Sequence, residues 1–398
     1  MRFLRDLSFS AVFAGFVSVV VGFSASGVII FQGARAVGAN DAELASWLWA
    51  LGVGGGIITI ILSLRYRMPL TISWSTPGAA MLITGASGLP LAEAIGAFLV
   101  CAILISVFGF TGWFNRFLSH IPMTLASGML AGVMLRFGLD IFNTMQHHFM
   151  LVAIMLGVWM LARCWSTRYA LLLSLVAGVI LLHAHLQFQD LRVTLAHPVF
   201  IAPHFSLTAA IGVGIPLFVV TMASQNLPGI AVLRADGYYN VPVSSMTGWT
   251  GVVNLILAPF GAFAFSLAAI TAAICTGPEA HEDLRRRYVA AISAGIFYLI
   301  LGLFGNVLTG ILRALPKELV FATAGIALLG AIGNGLATAM STQEDREAAL
   351  ITFLVTASGM TLLGIGSSFW GLVIGSIVLC LCRFRDRLTN QRLKTGAS

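Results

Sequence analysis

Two short stretches of this chain carry polar side chains where an apolar helix would otherwise run, and these residues have chemistry to offer. The first reads Pro69-Leu70-Thr71-Ile72-Ser73-Trp74-Ser75-Thr76-Pro77-Gly78. Thr71, Ser73 and Ser75 alternate with Ile72 and Trp74, a period of two that predicts a short extended strand. Thr76 and Pro77 then give a helix start, with a hydroxyl at the N-cap and a proline at the first helical position. The second stretch begins at Pro259 and sets Phe263 and Phe265 between Ala262, Ala264 and Ser266, with a helix-prone run from near Leu267. Ser266 falls opposite Ser75 in this comparison (266 − 75 = 191). A helix that starts at such a point leaves its first N–H groups without internal partners and carries partial positive charge there. Two of them facing each other form a receptor for an anionic group.

A third stretch reads Ser224-Gln225-Asn226-Leu227-Pro228-Gly229. Pro228 cannot donate to the carbonyl of Ser224 and should kink a helix there. Gln225 and Asn226 are amides that need partners away from water, supplied either by a ligand or by a neighbouring helix. Ser24 and Ser26, in Ser24-Ala25-Ser26-Gly27, suit close packing beside the same cavity. Trp74, Phe263 and Phe265 are candidate neighbours for an aromatic ring, and equally ordinary core. The acids Glu93, Asp140 and Glu318 lie near the ends of apolar stretches and are the candidates for proton coupling. No nucleophile–base pair or metal-ligand spacing is found, so no catalytic residue, metal or cofactor is expected. The pairs His147-His148 and His183-x-His185 read as solvated loop residues, and the five cysteines as small core hydrophobes.

The elements around these residues follow from composition. The chain has 398 residues, 58% of them hydrophobic and 9% charged, where a soluble domain carries about 25% charged residues. Soluble enzymes, nucleic-acid binders and secreted disulfide scaffolds are excluded as the main reading. Apolar stretches of about 20 residues, long enough to cross a bilayer as helix, fall near 9–31, 43–63, 70–87, 92–112, 121–138, 149–163, 169–186, 206–233, 243–258, 260–276, 288–309, 316–340, 348–364 and 367–382. If the N-terminus is cytoplasmic and all fourteen alternate, the inside receives 17 of the 22 Lys and Arg residues and the outside five. That bias favours cytoplasmic termini.

Self-similarity links the halves. Gln32-Gly33-Ala34-Arg35-Ala36-Val37-Gly38 matches Ala231-Val232-Leu233-Arg234-Ala235-Asp236-Gly237, Ile121-Pro122 matches Leu315-Pro316, and Val176 to Leu182 matches Val373 to Leu379. Seven spans per repeat is an odd number, so the second repeat enters the membrane with opposite polarity. The fold expected is therefore an all-α polytopic membrane protein of 14 transmembrane segments in two inverted seven-span repeats, with spans 3 and 10 half strand and half helix. Paired interrupted spans in corresponding positions point to a transporter site.

The segments FQGARAVGA, SWSTPGAAML, TMASQNLPGIAVLRADGY and FGAFAFSLAAITAAICTGPEAH resemble the benzoate:proton symporter family of BenE-type membrane transport proteins, and the similarity runs through essentially the whole chain. That family is similar in fold to uracil permeases, nucleobase transporters and sulfate exchangers. The resemblance implies a core domain of spans 1–4 and 8–11 (residues 1–114 and 206–309) and a gate domain of spans 5–7 and 12–14 (115–205 and 310–398). It also implies that spans 3 and 10 meet at the substrate. In the nucleobase relatives, acids on spans 8 and 10 bind ring N–H groups. Here those regions hold Gln225-Asn226 and Ser266-Leu267, which offer donors suited to a carboxylate.

The expectation is thus a secondary active transporter in a bacterial inner membrane that imports benzoate or a related small aromatic carboxylate with a proton, by elevator or rocking motion. Its partners would be substrate, proton and lipid bilayer, with no nucleic acid; a homodimer is among the assemblies left open. The substrate residues expected are Ser75, Thr76, Ser266, Leu267, Gln225, Asn226, Ser24, Ser26, Phe263, Phe265 and Trp74. The rival readings are a nucleobase or inorganic anion on the same fold, or an anion channel.

Overall fold

The computed structural model of this chain describes residues 6–113, 123–165, 169–182, 194–278, 280–360, 362 and 367–395. Ile121, Pro122, His183 and His185 lie outside the described residues. The first half comprises α1 (Phe9–Ala36), α2 (Asp41–Tyr66), β1 (Ile72–Trp74), α3 (Thr76–Gly85), α4 (Leu91–Phe110), α5 (Met123–His147), α6 (Phe149–Trp165) and α7 (Ala170–Leu181). The second comprises α8 (Leu207–Arg234), α9 (Val243–Leu257), β2 (Phe265–Leu267), α10 (Ala269–Thr276), α11 (Tyr288–Leu303), α12 (Gly305–Ala314), α13 (Lys317–Ala339), α14 (Arg346–Ala357) and α15 (Ser367–Thr395).

Seven helical segments among the described residues are long and apolar enough to cross a membrane, and an eighth if the bent α1 counts as one span. The other expected stretches hold shorter elements: the strand–helix segments, and α6, α7, α9 and α14. At 1.5 Å per residue, the 10-residue α3 reaches only about 15 Å, half of a bilayer core. Of the five cysteines, Cys101, Cys275 and Cys382 are buried, whereas Cys164 and Cys380 are exposed on the flanks of apolar helices rather than in the core.

Local sequence explains the irregular helices. The two parts of α1 are bent by 43° at the Ser24–Ser26 stretch. There Ser24 Oγ donates to the Val21 carbonyl and Ser26 Oγ to the Gly22 carbonyl, the back-bonding that bends helices. In α8 a π turn over Met222–Asn226 immediately precedes Pro228, and in it the Leu227 N–H reaches back five residues to the Met222 carbonyl. The wider turn shifts the register just before the proline, so Leu207–Arg234 continues as one helix.

The strands pair antiparallel, with Ile72 opposite Leu267, Ser73 opposite Ser266 and Trp74 opposite Phe265. The ladder extends one bond further at each end: the Ser75 N–H donates to the Ala264 carbonyl and the Ala268 N–H to the Thr71 carbonyl, both at 3.0 Å. Each bond maps onto the other by the same shift (264 − 71 = 193 and 268 − 75 = 193). A local two-fold therefore passes between Ser73 and Ser266.

Behind the strands, α2 and α11 pack backbone to backbone through small residues. A Cβ at Gly52 would lie 2.5 Å from Gly302 Cα, and one at Gly56 would lie 2.6 Å from the Gly295 carbonyl oxygen. Lipid supplies no hydrophobic drive between helices, so such close approach carries the association. Gly56→Val would force the pair apart at a cost of about 1–3 kcal/mol. A lowered melting temperature of the detergent-solubilised protein checks this, and an unchanged one would contradict the packing.

Candidate functional site

The strand pair and the two half-helices form one buried crossing. Its backbone cannot rely on water, and each unmet N–H or C=O at such depth is costly. Thr59 on α2 serves the outer edge of β1, its hydroxyl accepting from the Ile72 N–H at 2.8 Å and donating to the Ile72 carbonyl at 3.0 Å. Asn226, in the π turn of α8, serves β2: its Oδ1 accepts from the Leu267 N–H at 2.8 Å. The Asn226 amide nitrogen lies 3.4 Å from Met222 Sδ. Asn254 of α9 donates to the Phe263 carbonyl at 3.3 Å.

The half-helices start one or two residues away from the sequence reading. The N-cap of α3 is Ser75 and not Thr76, with Pro77 within the first turn; Ser75 Oγ accepts from the Gly78 N–H at 3.1 Å. That leaves the Ser75 O–H proton and the Thr76 N–H uncommitted among the described residues. For α10 the N-cap is Ala268, which provides no side-chain cap. Ser266 therefore lies inside the strand and corresponds to Ser73, while Ala268 corresponds to Ser75. The uncapped first turn of α10 presents its N–H groups, and positive dipole end, without competition from a side chain.

The remaining candidates separate. Ser266 is fully buried and its hydroxyl has no hydrogen-bond partner among the described residues; Leu267 is buried against Gly229. Gln225 is half-buried, with no hydrogen bond from its amide among the described residues. Ser26 is occupied twice, donating to Gly22 and accepting from the Trp74 indole N–H at 2.6 Å. Trp74 is 4% exposed, its ring set edge-on to Tyr298 at 5.4 Å. Phe263 packs with Trp47 and Phe98, and Phe265 lies against Gly54, so both rings belong to the core behind the strands. Ser24 lines an apolar groove of about 440 Å³ with Phe16, Phe23 and Phe297.

Helix α5 packs on both α3 and the π turn, bringing a second group of helices against the crossing. Glu93 and Glu318 lie at helix ends, whereas Asp140, expected near one, lies inside α5, seven residues before its last (147 − 140 = 7). Glu93, in the first turn of α4, is 3.8 Å from His204, and Glu318, in the first turn of α13, is 3.5 Å from His148. Asp140 of α5 joins Arg136, His147 and Glu318 around a cavity of about 470 Å³. The residue the sequence reading passed over is Ser73. Its place in the Thr71-Ser73-Ser75 alternation was the available signal.

The family model for the benzoate membrane transport protein matches residues 5–381. The chain is 46% identical over 379 residues to the inner membrane protein YdcO of Escherichia coli, covering 94% of this chain and 97% of that one. It is 38% identical over 375 residues to the benzoate membrane transport protein of Acinetobacter baylyi, covering 94% and 95%. Among solved structures, the transmembrane domain of the cyanobacterial bicarbonate transporter BicA superposes with a TM-score of 0.55 at 12% identity, covering 94% of this chain and 98% of that one. The murine Solute Carrier 26 family member A9 anion transporter, in its inward-facing state, gives 0.56 at 14% identity, covering 95% and 69%. These likenesses establish a shared membrane-transporter fold.

The geometry divides the two amides of α8. Asn226→Ala leaves the buried Leu267 N–H without an acceptor and should cost about 1–3 kcal/mol, while Gln225→Ala should leave stability within about 0.5 kcal/mol. Melting of the two purified variants checks the contrast. Equal destabilisation would contradict it.

Proposed function

The chain belongs to the benzoate membrane transport protein family, and we propose that it imports benzoate or a related small aromatic carboxylate by proton symport with alternating access. The observation that carries this reading is the crossing of two half-helices at a buried strand pair with spare donors and no carboxylate among the side chains that build it. An anion is favoured there because the N–H groups and O–H protons are fixed before it arrives, so little reorganisation opposes binding. A nucleobase, which offers donors of its own, would find few acceptors.

In this proposal the carboxylate sits between the N-termini of α3 and α10. Ser75 and the Thr76 N–H would approach from one side, and the first turn of α10 from the other. Ser73, Ser266 and Gln225 complete the donor set, with Trp74 as the nearest aromatic ring. Asn226, Leu267, Ser26 and the two phenylalanines act through the strands they hold. The fourteen stretches would form two inverted seven-span repeats related by the axis between Ser73 and Ser266. Residues 1–114 and 206–309 would form a core that moves against a gate of 115–205 and 310–398, with both termini in the cytoplasm as the charge bias favours.

An inorganic anion is the second reading, since both fold relatives are named as anion or bicarbonate transporters. Radiolabelled benzoate uptake into proteoliposomes, corrected for leak of neutral benzoic acid through protein-free liposomes, separates the two. Saturable uptake that accumulates under an inward proton gradient is the expected result. Absence of protein-dependent benzoate flux would reject the substrate, and flux that never saturates would indicate a channel.

A further inference from the structure

Beside the strand pair lies a group of buried hydroxyls that the binding site does not use. Tyr298 of α11 is 1% exposed, Thr271 of α10 is 5% exposed, and Thr71, just before β1, is fully buried. None of their hydroxyl oxygens has a hydrogen-bond partner among the described residues. They are nevertheless neighbours. The Tyr298 hydroxyl lies beside the side chains of Ser73 and Thr271, without hydrogen-bond geometry to either. The Cys275 thiol lies beside Ser18 and Thr71. Ser18 Oγ donates to the Thr271 carbonyl at 3.3 Å, tying α1 to the same cluster. Gly22 keeps it open: a Cβ there would be 3.4 Å from the Tyr298 oxygen and 2.8 Å from the Thr271 methyl.

A buried hydroxyl without a partner is expensive, and several together call for an explanation. One bridging water, or a small shift of the side chains, would link them into a chain. The half-helix that carries Thr271 and Cys275 also ends on a titratable group. Thr276 Oγ1 donates to the Asp236 carboxylate. The charged and titratable groups around that end are Arg287, whose guanidinium donates to the carbonyls of Thr276, His281 and Glu282, together with Tyr238 and Asp283. The titratable side chain beside Tyr298 is Cys275.

We propose that this hydroxyl cluster, Ser73–Tyr298–Thr271 with Thr71, Ser18 and Cys275, carries the co-transported proton between the strand pair and the Asp236 end of α10. The inference rests on the symport reading above. Each hydroxyl accepts a proton on its oxygen and passes on the one it held, so one proton enters and one leaves. No group keeps a charge, and the O–H bonds then rotate back. Such a path needs no carboxylate at the crossing, in keeping with Glu93 and Glu318 lying at helix ends and Asp140 lining a cavity with Arg136, His147 and Glu318. All its members sit on α1, on α10, on α11 or in and beside β1, so the chain would move with the core.

Tyr298→Phe removes the oxygen and keeps the ring against Trp74, and Thr71→Val, outside the first turn of α10, is the second, nearly isosteric variant. In proteoliposomes, benzoate exchange without a gradient needs no net proton movement and should stay within about twofold of wild type, while gradient-driven accumulation should fall at least about tenfold. Normal accumulation in both variants would overturn the relay. So would parallel loss of exchange and accumulation in both, which would make the hydroxyls structural. A wild-type protein that exchanges benzoate but ignores the gradient would reject proton coupling itself, and the relay with it.

Discussion

Two three-residue strands, each finished by a half-helix, have to exist at membrane depth with every backbone group accounted for. That constraint organises the centre of this protein. Each strand satisfies the other on its inner edge. The outer edges need side chains from outside the sheet, and they come from Thr59 on α2 and Asn226 on α8. The π turn that holds Asn226 is then no accident of helix geometry, because it sets an amide where β2 needs an acceptor. The glycine contacts between α2 and α11 serve the same end by holding a tight wall behind β1. A break anywhere in this network exposes backbone that lipid cannot hydrate.

The polarity of the site follows from the same arrangement. Once the strands are satisfied, the unspent groups are mostly donors: the Ser75 O–H, the Thr76 N–H and the uncapped first turn of α10. A half-helix N-terminus carries partial positive charge without a titratable side chain, so its preference for an anion does not vary with pH. The proposed proton coupling would then arise elsewhere, from the substrate acid or from groups outside the donor set. The unequal capping of α3 and α10 also makes the two sides of the crossing chemically distinct, although the strand ladder itself has a local two-fold.

Much of this was legible in the residues. The Thr71-Ser73-Ser75 alternation gave β1, and Pro77 placed the start of α3 to within one residue. The family resemblance matched the family that the comparisons identify. The second half was harder. Ala262 to Ser266 is uniformly small or aromatic, so nothing in it marks where strand becomes helix. Matching serine to serine aligned Ser266 with Ser75, when the backbone aligns it with Ser73. Asn226 was open to two readings because an amide is equally suited to a ligand or to a strand edge, and only the ladder decides between them. The π turn beside Pro228 has no mark in the residues, because a proline's missing donor can be met by a wider turn as well as by a simple kink, a choice made by tertiary contacts. Tyr298 and Thr271 were invisible for the simplest reason: isolated hydroxyls in apolar helices acquire meaning only when four elements bring them together.

If the N-terminus of α3 receives the substrate carboxylate, Ser75→Asp should repel it. Aspartate caps a helix as well as serine does and places a carboxylate where the anion should sit; because Ser75 is fully buried, melting is read beside binding to separate a lost site from a lost fold. Benzoate affinity, measured calorimetrically on the purified protein alongside its melting temperature, should weaken at least tenfold, about 1.4 kcal/mol, in protein that still melts cooperatively. Unaltered benzoate affinity in a variant that melts like wild type would contradict the account and move the binding site away from the strand crossing.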